Sequence, residues 1–213
     1  MWRAELTALG DDLSDLLSPE EHDRAQRLAG AREAPLWARS RGLLRALLGL
    51  YLQIDAHSLT FTTGAHGKPA LADSSTALSF NLSHSGATVL YAFSSTTAVG
   101  VDVELLDRPR SRDVVSLAGR VFGPVESERL ARLGQPSRER EFLRLWVRHE
   151  AELKCMGVGL GGAGSGQSAR RPWIVDLKMG SRTAAALAAE EAPRELRIWE
   201  WPSETPAQLK GRA

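Results

Sequence analysis

Cysteine, lysine and long apolar runs are scarce in this chain, and each scarcity excludes something. Cys155 is the single cysteine. It cannot form an internal disulfide or a cysteine-built zinc site, which fits a reducing compartment and a cytoplasmic protein. Lysine occurs at Lys68, Lys154, Lys178 and Lys210 alone, so arginine carries most of the positive charge. The longest apolar run, LLRALLGLYL at 43–52, contains Arg45 and is too short to span a bilayer. The start, MWRAELTALG, has no basic stretch followed by an apolar run, so no secretion signal is expected. A net charge of +1 gives no reason to expect nucleic acid or a membrane as partner. What is present is 213 residues, 43% of them hydrophobic, enough to build the core of one large or two small domains.

The pattern along the chain runs helices, strands, helices, strands, which predicts an α+β fold rather than a parallel α/β sheet. LSPEEHDRAQRL opens a helix with Ser18 as cap, Pro19 in the first turn and Glu21 three residues after the cap. Leucines at helical spacing predict a second helix from about Leu36 to Leu52. Strands are expected within 59–71, at 79–86, 88–94 and 98–105, with the last two joined as an antiparallel hairpin. Helices are expected after Phe122 and over 138–157, the second ending at Gly157. WIVDLKM and ELRIWEW read as strands, with an Ala-rich piece between them.

Four short stretches could carry chemistry. In VGVDVEL, strand alternation puts Asp102 and Glu104 on one face and Val101 and Val103 on the other. Two carboxylates so placed are roughly 6–7 Å apart and repel by about 2–3 kcal/mol at an effective dielectric near 20. An exposed strand face relieves that repulsion; so does a hard cation such as Mg²⁺, which takes oxygen ligands and shares substrate phosphates. In WVRHEAELK, Trp146, Glu150 and Lys154 recur every four residues and form one helical stripe beside His149. That stripe reads either as a surface ion pair or as the rim of a cleft, with Glu150 a third carboxylate and Lys154 a cation for an anionic substrate. In NLSHSG, Ser83 and His84 face opposite ways on a strand and make a poor nucleophile–base pair, though they could donate to a phosphate. HGKPA is by default a turn. GVGLGG at 157–162 follows a helix rather than a strand, which excludes a dinucleotide fold. Glu152-Leu153-Lys154 sits on a helix, unlike the strand-borne acid–x–Lys unit of metal-dependent nucleases.

Taken together and in this order, HGKPA, FNLSHSG, VGVDVE and WVRHEAELK resemble the Sfp-like group of the 4′-phosphopantetheinyl transferases, over nearly the whole chain. The resemblance implies two similar lobes with pseudo-twofold symmetry, each a small, mostly antiparallel sheet packed with helices, divided as 1–99 and 100–213. It implies transfer of phosphopantetheine from coenzyme A to a serine of a carrier protein, with release of 3′,5′-ADP. Asp102, Glu104 and Glu150 then match the Mg²⁺-binding acids, with Mn²⁺ an alternative metal. Glu150 also matches the group that helps deprotonate the serine, and Lys154 the lysine that steadies phosphate charge. Ser83 and His84 match coenzyme A phosphate contacts; Gly67, Lys68 and Pro69 match the turn at the adenine end. Arg24, and less directly Arg39, match basic residues for the 3′-phosphate. Phe122 and its neighbours are candidates to meet the carrier. A two-lobed chain of this kind is expected to act as a monomer.

One position departs from the family's W-x-x-K-E-A-x-x-K: His149 stands where lysine is usual. The expectation is that His149 substitutes for that lysine, kept charged by nearby pyrophosphate and carboxylates. The same departure supports an alternative, a non-catalytic module that binds coenzyme A or a carrier protein. The stretch at Pro35-Leu36-Trp37 is also less basic than its counterparts.

Overall fold

The structure, a computed structural model, describes residues 1–28, 33–63, 68–73, 75–107, 113–157 and 171–201. In chain order its elements are β1 (Trp2–Glu5), α1 (Pro19–Arg27), α2 (Glu33–Leu52), β2 (Phe61–Thr63), β3 (Pro69–Leu71), β4 (Ser79–Ser85), β5 (Thr88–Ser94) and β6 (Val99–Leu105). Then follow α3 (Val114–Val121), α4 (Pro124–Ala131), α5 (Ser137–Met156), β7 (Trp173–Asp176), β8 (Thr183–Ala189) and β9 (Trp199–Trp201). The fold is α+β, as expected. One sheet runs β4-β5-β1-β9, a second runs β6-β8-β7, and β2 and β3 pair on their own.

These elements stack as α2, first sheet, second sheet, α5. Leu43, Leu44, Leu47 and Leu48 of α2 pack on Trp2, Phe80, Val89 and Tyr91 of the first sheet. The alternate residues of that sheet, Leu90 and Ala92, meet Val101, Val103, Ala185 and Leu187 of the second. The opposite side of the second sheet, Ala186 and Ala188, receives Val147, Ala151 and Cys155 of α5. The strand alternation read from VGVDVEL therefore holds: the valines enter the core between the sheets and the acids face away from it.

The expected β5–β6 hairpin is corrected. β5 pairs with β4 and β1, whereas β6 pairs with β8, so the two strands belong to different sheets. The Ala-rich piece is β8, the central strand of the second sheet. Alanine has low strand propensity, but small side chains here let α5 lie close against the sheet. Gly100 on β6 serves the same approach: a Cβ there would lie 2.2 Å from Ala151 O and 2.3 Å from Cys155 N. β1 was not expected, and β9, parallel to it, is confined to the last three residues of ELRIWEW that the structure describes.

α1 begins as the sequence predicts. Ser18 and Glu21 form a capping box, with the Glu21 N–H donating to Ser18 Oγ at 3.3 Å and the Ser18 N–H to Glu21 Oε2 at 3.0 Å. Glu21 also accepts from Arg41 and from Arg45 Nε, so the same carboxylate ties α1 to α2. Gly157 closes α5 in the left-handed conformation, at φ +71°.

The lone thiol reports on the seat of α5. Cys155 is buried and its Sγ donates to Ala98 O at 3.4 Å. Burial pushes its pKa up to about 11, so at pH 8 almost no thiolate exists to attack a disulfide reagent. Ellman's reagent is expected to leave the native chain unmodified at pH 8 and to titrate one thiol in denaturant. Rapid reaction of the native chain would mean that α5 does not sit on β6 as described.

Candidate active site

β4 and β6 are the facing edges of the two sheets, and side chains join them where no main-chain ladder does. Alternation places Asn81, Ser83 and Ser85 on one face of β4. Asn81 Oδ1 accepts the Val101 N–H at 2.8 Å, Ser83 Oγ donates to Asp102 Oδ1 at 2.7 Å, and Ser85 Oγ donates to Glu104 Oε2 at 2.8 Å. Asp102 is 5% exposed, which removes the open strand face as an account of it.

α5 supplies the other wall. Lys154 Nζ donates to Asp102 Oδ1 at 2.7 Å and to Val101 O at 3.3 Å. Burial pushes the Asp102 carboxyl above its ordinary range, with Lys154 and Ser83 pulling it back. Glu150 is also raised, first by burial and then by the charge of Asp102. One oxygen of each, Asp102 Oδ2 and Glu150 Oε1, is buried with no hydrogen-bond partner. Two orphaned carboxylate oxygens in one acidic cluster carry an unmet electrostatic demand that a divalent cation answers. Among the described residues no three His, Cys, Asp or Glu side chains already converge as a metal cage. That suits Mg²⁺, which is held by one or two carboxylates and completes its coordination with water and substrate phosphate. The orphaned oxygens of Asp102 and Glu150 are the donors in this cluster that would suit such a cation.

Asp102, Glu104 and Lys154 open onto a cleft of about 500 Å³ between α1, α2, β4 and β6, whose lining does not include Glu150. Arg24, Lys68, Pro69, Ser83, His84, Asp102, Glu104 and Lys154 all line it, so eight of the sequence-predicted residues come together. The Arg24 guanidinium lies 5.5 Å from the centroid of the Trp37 ring, also in the lining. Lys68 Nζ donates to Lys154 O at 2.8 Å and to Val99 O at 3.3 Å. It ties the start of β3 to the end of α5 and the start of β6. Gly67 lies outside the described residues.

Two of the candidate residues lie elsewhere than on the cleft. Arg39 lies outside the cleft lining and donates to Leu6 O at 3.3 Å; Arg41, two residues on, lines the cleft instead. His149 is also outside the lining. Its ring stands edge-on to Phe122, at 5.7 Å and 88°. Burial lowers its pKa, outweighing the upward pull of Glu152. One step along a helix turns a side chain by about 100°, which separates His149 from Glu150.

Sequence reasoning missed Asn81, Ser85, Glu21, Trp37 and Arg41. Asn81 and Ser85 were legible from the alternation around Ser83. The others depend on how α1 and α2 pack.

Comparison with known proteins agrees with this geometry. Residues 98–209 match the 4′-phosphopantetheinyl transferase superfamily, and residues 2–96 match the 4′-phosphopantetheinyl transferase N-terminal family. The 4′-phosphopantetheinyl transferase HetI of Nostoc sp. is 38% identical over 75% of this chain and 69% of its own length. The 4′-phosphopantetheinyl transferase Sfp of Bacillus subtilis is 31% identical over 68% of this chain and 62% of its own. The human L-aminoadipate-semialdehyde dehydrogenase-phosphopantetheinyl transferase is 29% identical over 68% of this chain and 50% of its own. The aligned part thus spans between half and about two thirds of these relatives. The chain belongs to the 4′-phosphopantetheinyl transferase superfamily.

Proposed function

We propose that this chain transfers the 4′-phosphopantetheine arm of coenzyme A to a serine hydroxyl of an acyl or peptidyl carrier protein, releasing 3′,5′-ADP. The observation that carries the reading is Lys154 held against Asp102 on the cleft that Glu104 also lines, with Asp102 Oδ2 and Glu150 Oε1 both buried without a hydrogen-bond partner. Arg24 and Lys68 stand on the same cleft. In the reaction a serine O–P bond forms and the P–O bond to 3′,5′-ADP breaks. The serine proton goes to Glu150, directly or through water; its raised pKa brings it closer to the working pH of a general base. Lys154, already held against Asp102, offers its ammonium to the phosphate as charge shifts to the leaving oxygen. Ser83 and His84 hold the coenzyme A phosphates, Lys68 and Pro69 border its adenine end, and Arg24 faces the 3′-phosphate. When bound, Mg²⁺ (or Mn²⁺) neutralises the diphosphate and polarises the bond that breaks.

The chain is read as two lobes, 1–99 and 100–213, related by a pseudo-twofold axis, with β9 of the second span added to the edge of the first sheet. In support, each pairs its sheet with one helix of 20 residues, α2 and α5. The matched family also changes between residues 96 and 98. No helix among the described residues is long and apolar enough to cross a membrane, and a cytoplasmic monomer is the setting we propose. His149 gives the binding-module alternative no support from its position against Phe122.

The test is incubation of the purified chain with coenzyme A, Mg²⁺ and a panel of apo carrier proteins, followed by intact mass. One phosphopantetheine gained by a carrier, and lost on adding EDTA beforehand, is the expected result. Coenzyme A binding without mass gain on any carrier would favour the binding module.

A further inference from the structure

Ser85 takes no part in the transfer just described, yet it is fully buried and both of its hydrogen-bonding capacities are used. Its Oγ accepts the Leu105 N–H at 3.1 Å and donates to Glu104 Oε2 at 2.8 Å. An amide N–H only donates, so the hydroxyl proton is committed to the carboxylate. The place of Ser85 is itself set by backbone. It pairs with Thr88 across a two-residue connection whose first residue, Gly86, has φ +60°. That left-handed conformation favours glycine and matches the tight turns that fix hairpin register. A Cβ on Gly86 would come 3.0 Å from Leu105 Cδ1, a side chain of the residue whose N–H Ser85 receives. Turn, hydroxyl and acid form one chain of constraint from the β4–β5 backbone to Glu104, which lines the cleft.

We propose that Ser85 is a positioning residue for divalent-cation binding, holding the Glu104 carboxylate in the orientation that the metal requires. Beside it, Ser83 and Lys154 hold Asp102 by Oδ1 and leave Oδ2 without a hydrogen-bond partner. The inference rests on the metal reading of the preceding subsection. Groups that hydrogen-bond a metal-ligating side chain typically change metal affinity by about 10–100-fold when removed.

The experiment measures Mn²⁺ affinity of the full chain by electron paramagnetic resonance, with no turnover involved. Wild type, Ser85→Ala, Glu104→Gln, the double variant and Asp102→Asn are compared. Ser85→Ala is expected to weaken Mn²⁺ binding about 10-fold, and to add less than about twofold once Glu104 is glutamine, because it acts through that residue. Unchanged affinity in Ser85→Ala, with Glu104→Gln weakened, overturns the positioning role and leaves the metal reading standing. An equal loss in both backgrounds shows that Ser85 acts by another route and also overturns it. If neither Glu104→Gln nor Asp102→Asn alters Mn²⁺ affinity, the metal reading falls and the inference with it. Should circular dichroism show Ser85→Ala unfolded, Ser85→Cys keeps a weak donor of similar shape and carries the same comparison.

Discussion

Glu150→Gln is expected to abolish transfer and, in metal-free buffer, to raise the melting temperature. The first effect follows from the base. Removing a general base lowers kcat by about 10²–10⁴-fold, and the same change removes one holder of the cation. The second follows from burial. Glu150 Oε1 is buried without a partner, and its pKa is raised above 4.5 by desolvation and by Asp102. A carboxyl raised in the folded state binds its proton more tightly there than in the unfolded chain. Stability is therefore fullest at low pH and is lost as pH rises from about 4.5 through the folded value. Glutamine has no charge to bury and carries no such loss. Mg²⁺ should raise the melting temperature of the wild type and barely move that of the variant, since a ligand stabilises only the state that binds it. The checks are the rate of carrier mass gain and thermal melts in EDTA and in Mg²⁺. A variant that is inactive and less stable in EDTA would mean Glu150 is a structural residue rather than a strained functional one.

Gly100→Ala should damage both the fold and the site. Its Cβ would stand 2.2 Å from one α5 backbone atom and 2.3 Å from another, with a third at 2.9 Å. Backbone cannot swing aside as a side-chain tip does, so α5 must lift from β6. Overpacking of this kind costs about 1–3 kcal/mol, occasionally more. The same shift moves Glu150 and Lys154 away from Asp102, and a displacement of about 1 Å at a catalytic group can cost roughly 100-fold in rate. Urea denaturation should show a lower midpoint, and Cys155 should become reactive to Ellman's reagent in the native state. A variant with unchanged midpoint, thiol protection and transfer rate would contradict the placement of α5.

These effects arise at a seam whose parts were legible in the sequence but whose assembly was not. Alternation in VGVDVEL assigns Val101 and Val103 to the core and pairs Asp102 with Glu104, because the period of a strand is independent of its partner. It cannot say which strand lies alongside. β5 and β6 look like a hairpin because a short polar turn joins two strands, yet the chain uses that turn to pass from one sheet to the other. The edge of β6 is then completed by Asn81 and Ser85 side chains, a substitution for main-chain pairing that no local pattern announces. Ala-rich β8 lacks strand propensity because its composition serves α5, a tertiary demand that overrides the local one. On α1 the signal was entirely local: the Ser18–Glu21 box is built within one turn and reads directly. On α2 the difficulty was phase. With leucine, glycine and Arg45 all buried, the apolar surface nearly encircles the helix, so its pattern does not separate Arg39, bonded to Leu6, from Arg41, on the cleft.

The most direct test counts both products of one incubation. With coenzyme A, Mg²⁺ and an apo carrier, 3′,5′-ADP is measured beside the intact mass of the carrier. One 3′,5′-ADP released per carrier modified, and none without carrier, is the expected result of the proposed transfer, whose acceptor is the serine hydroxyl. Release of 3′,5′-ADP at the same rate without any carrier would make water the acceptor and the protein a hydrolase, contradicting the transfer.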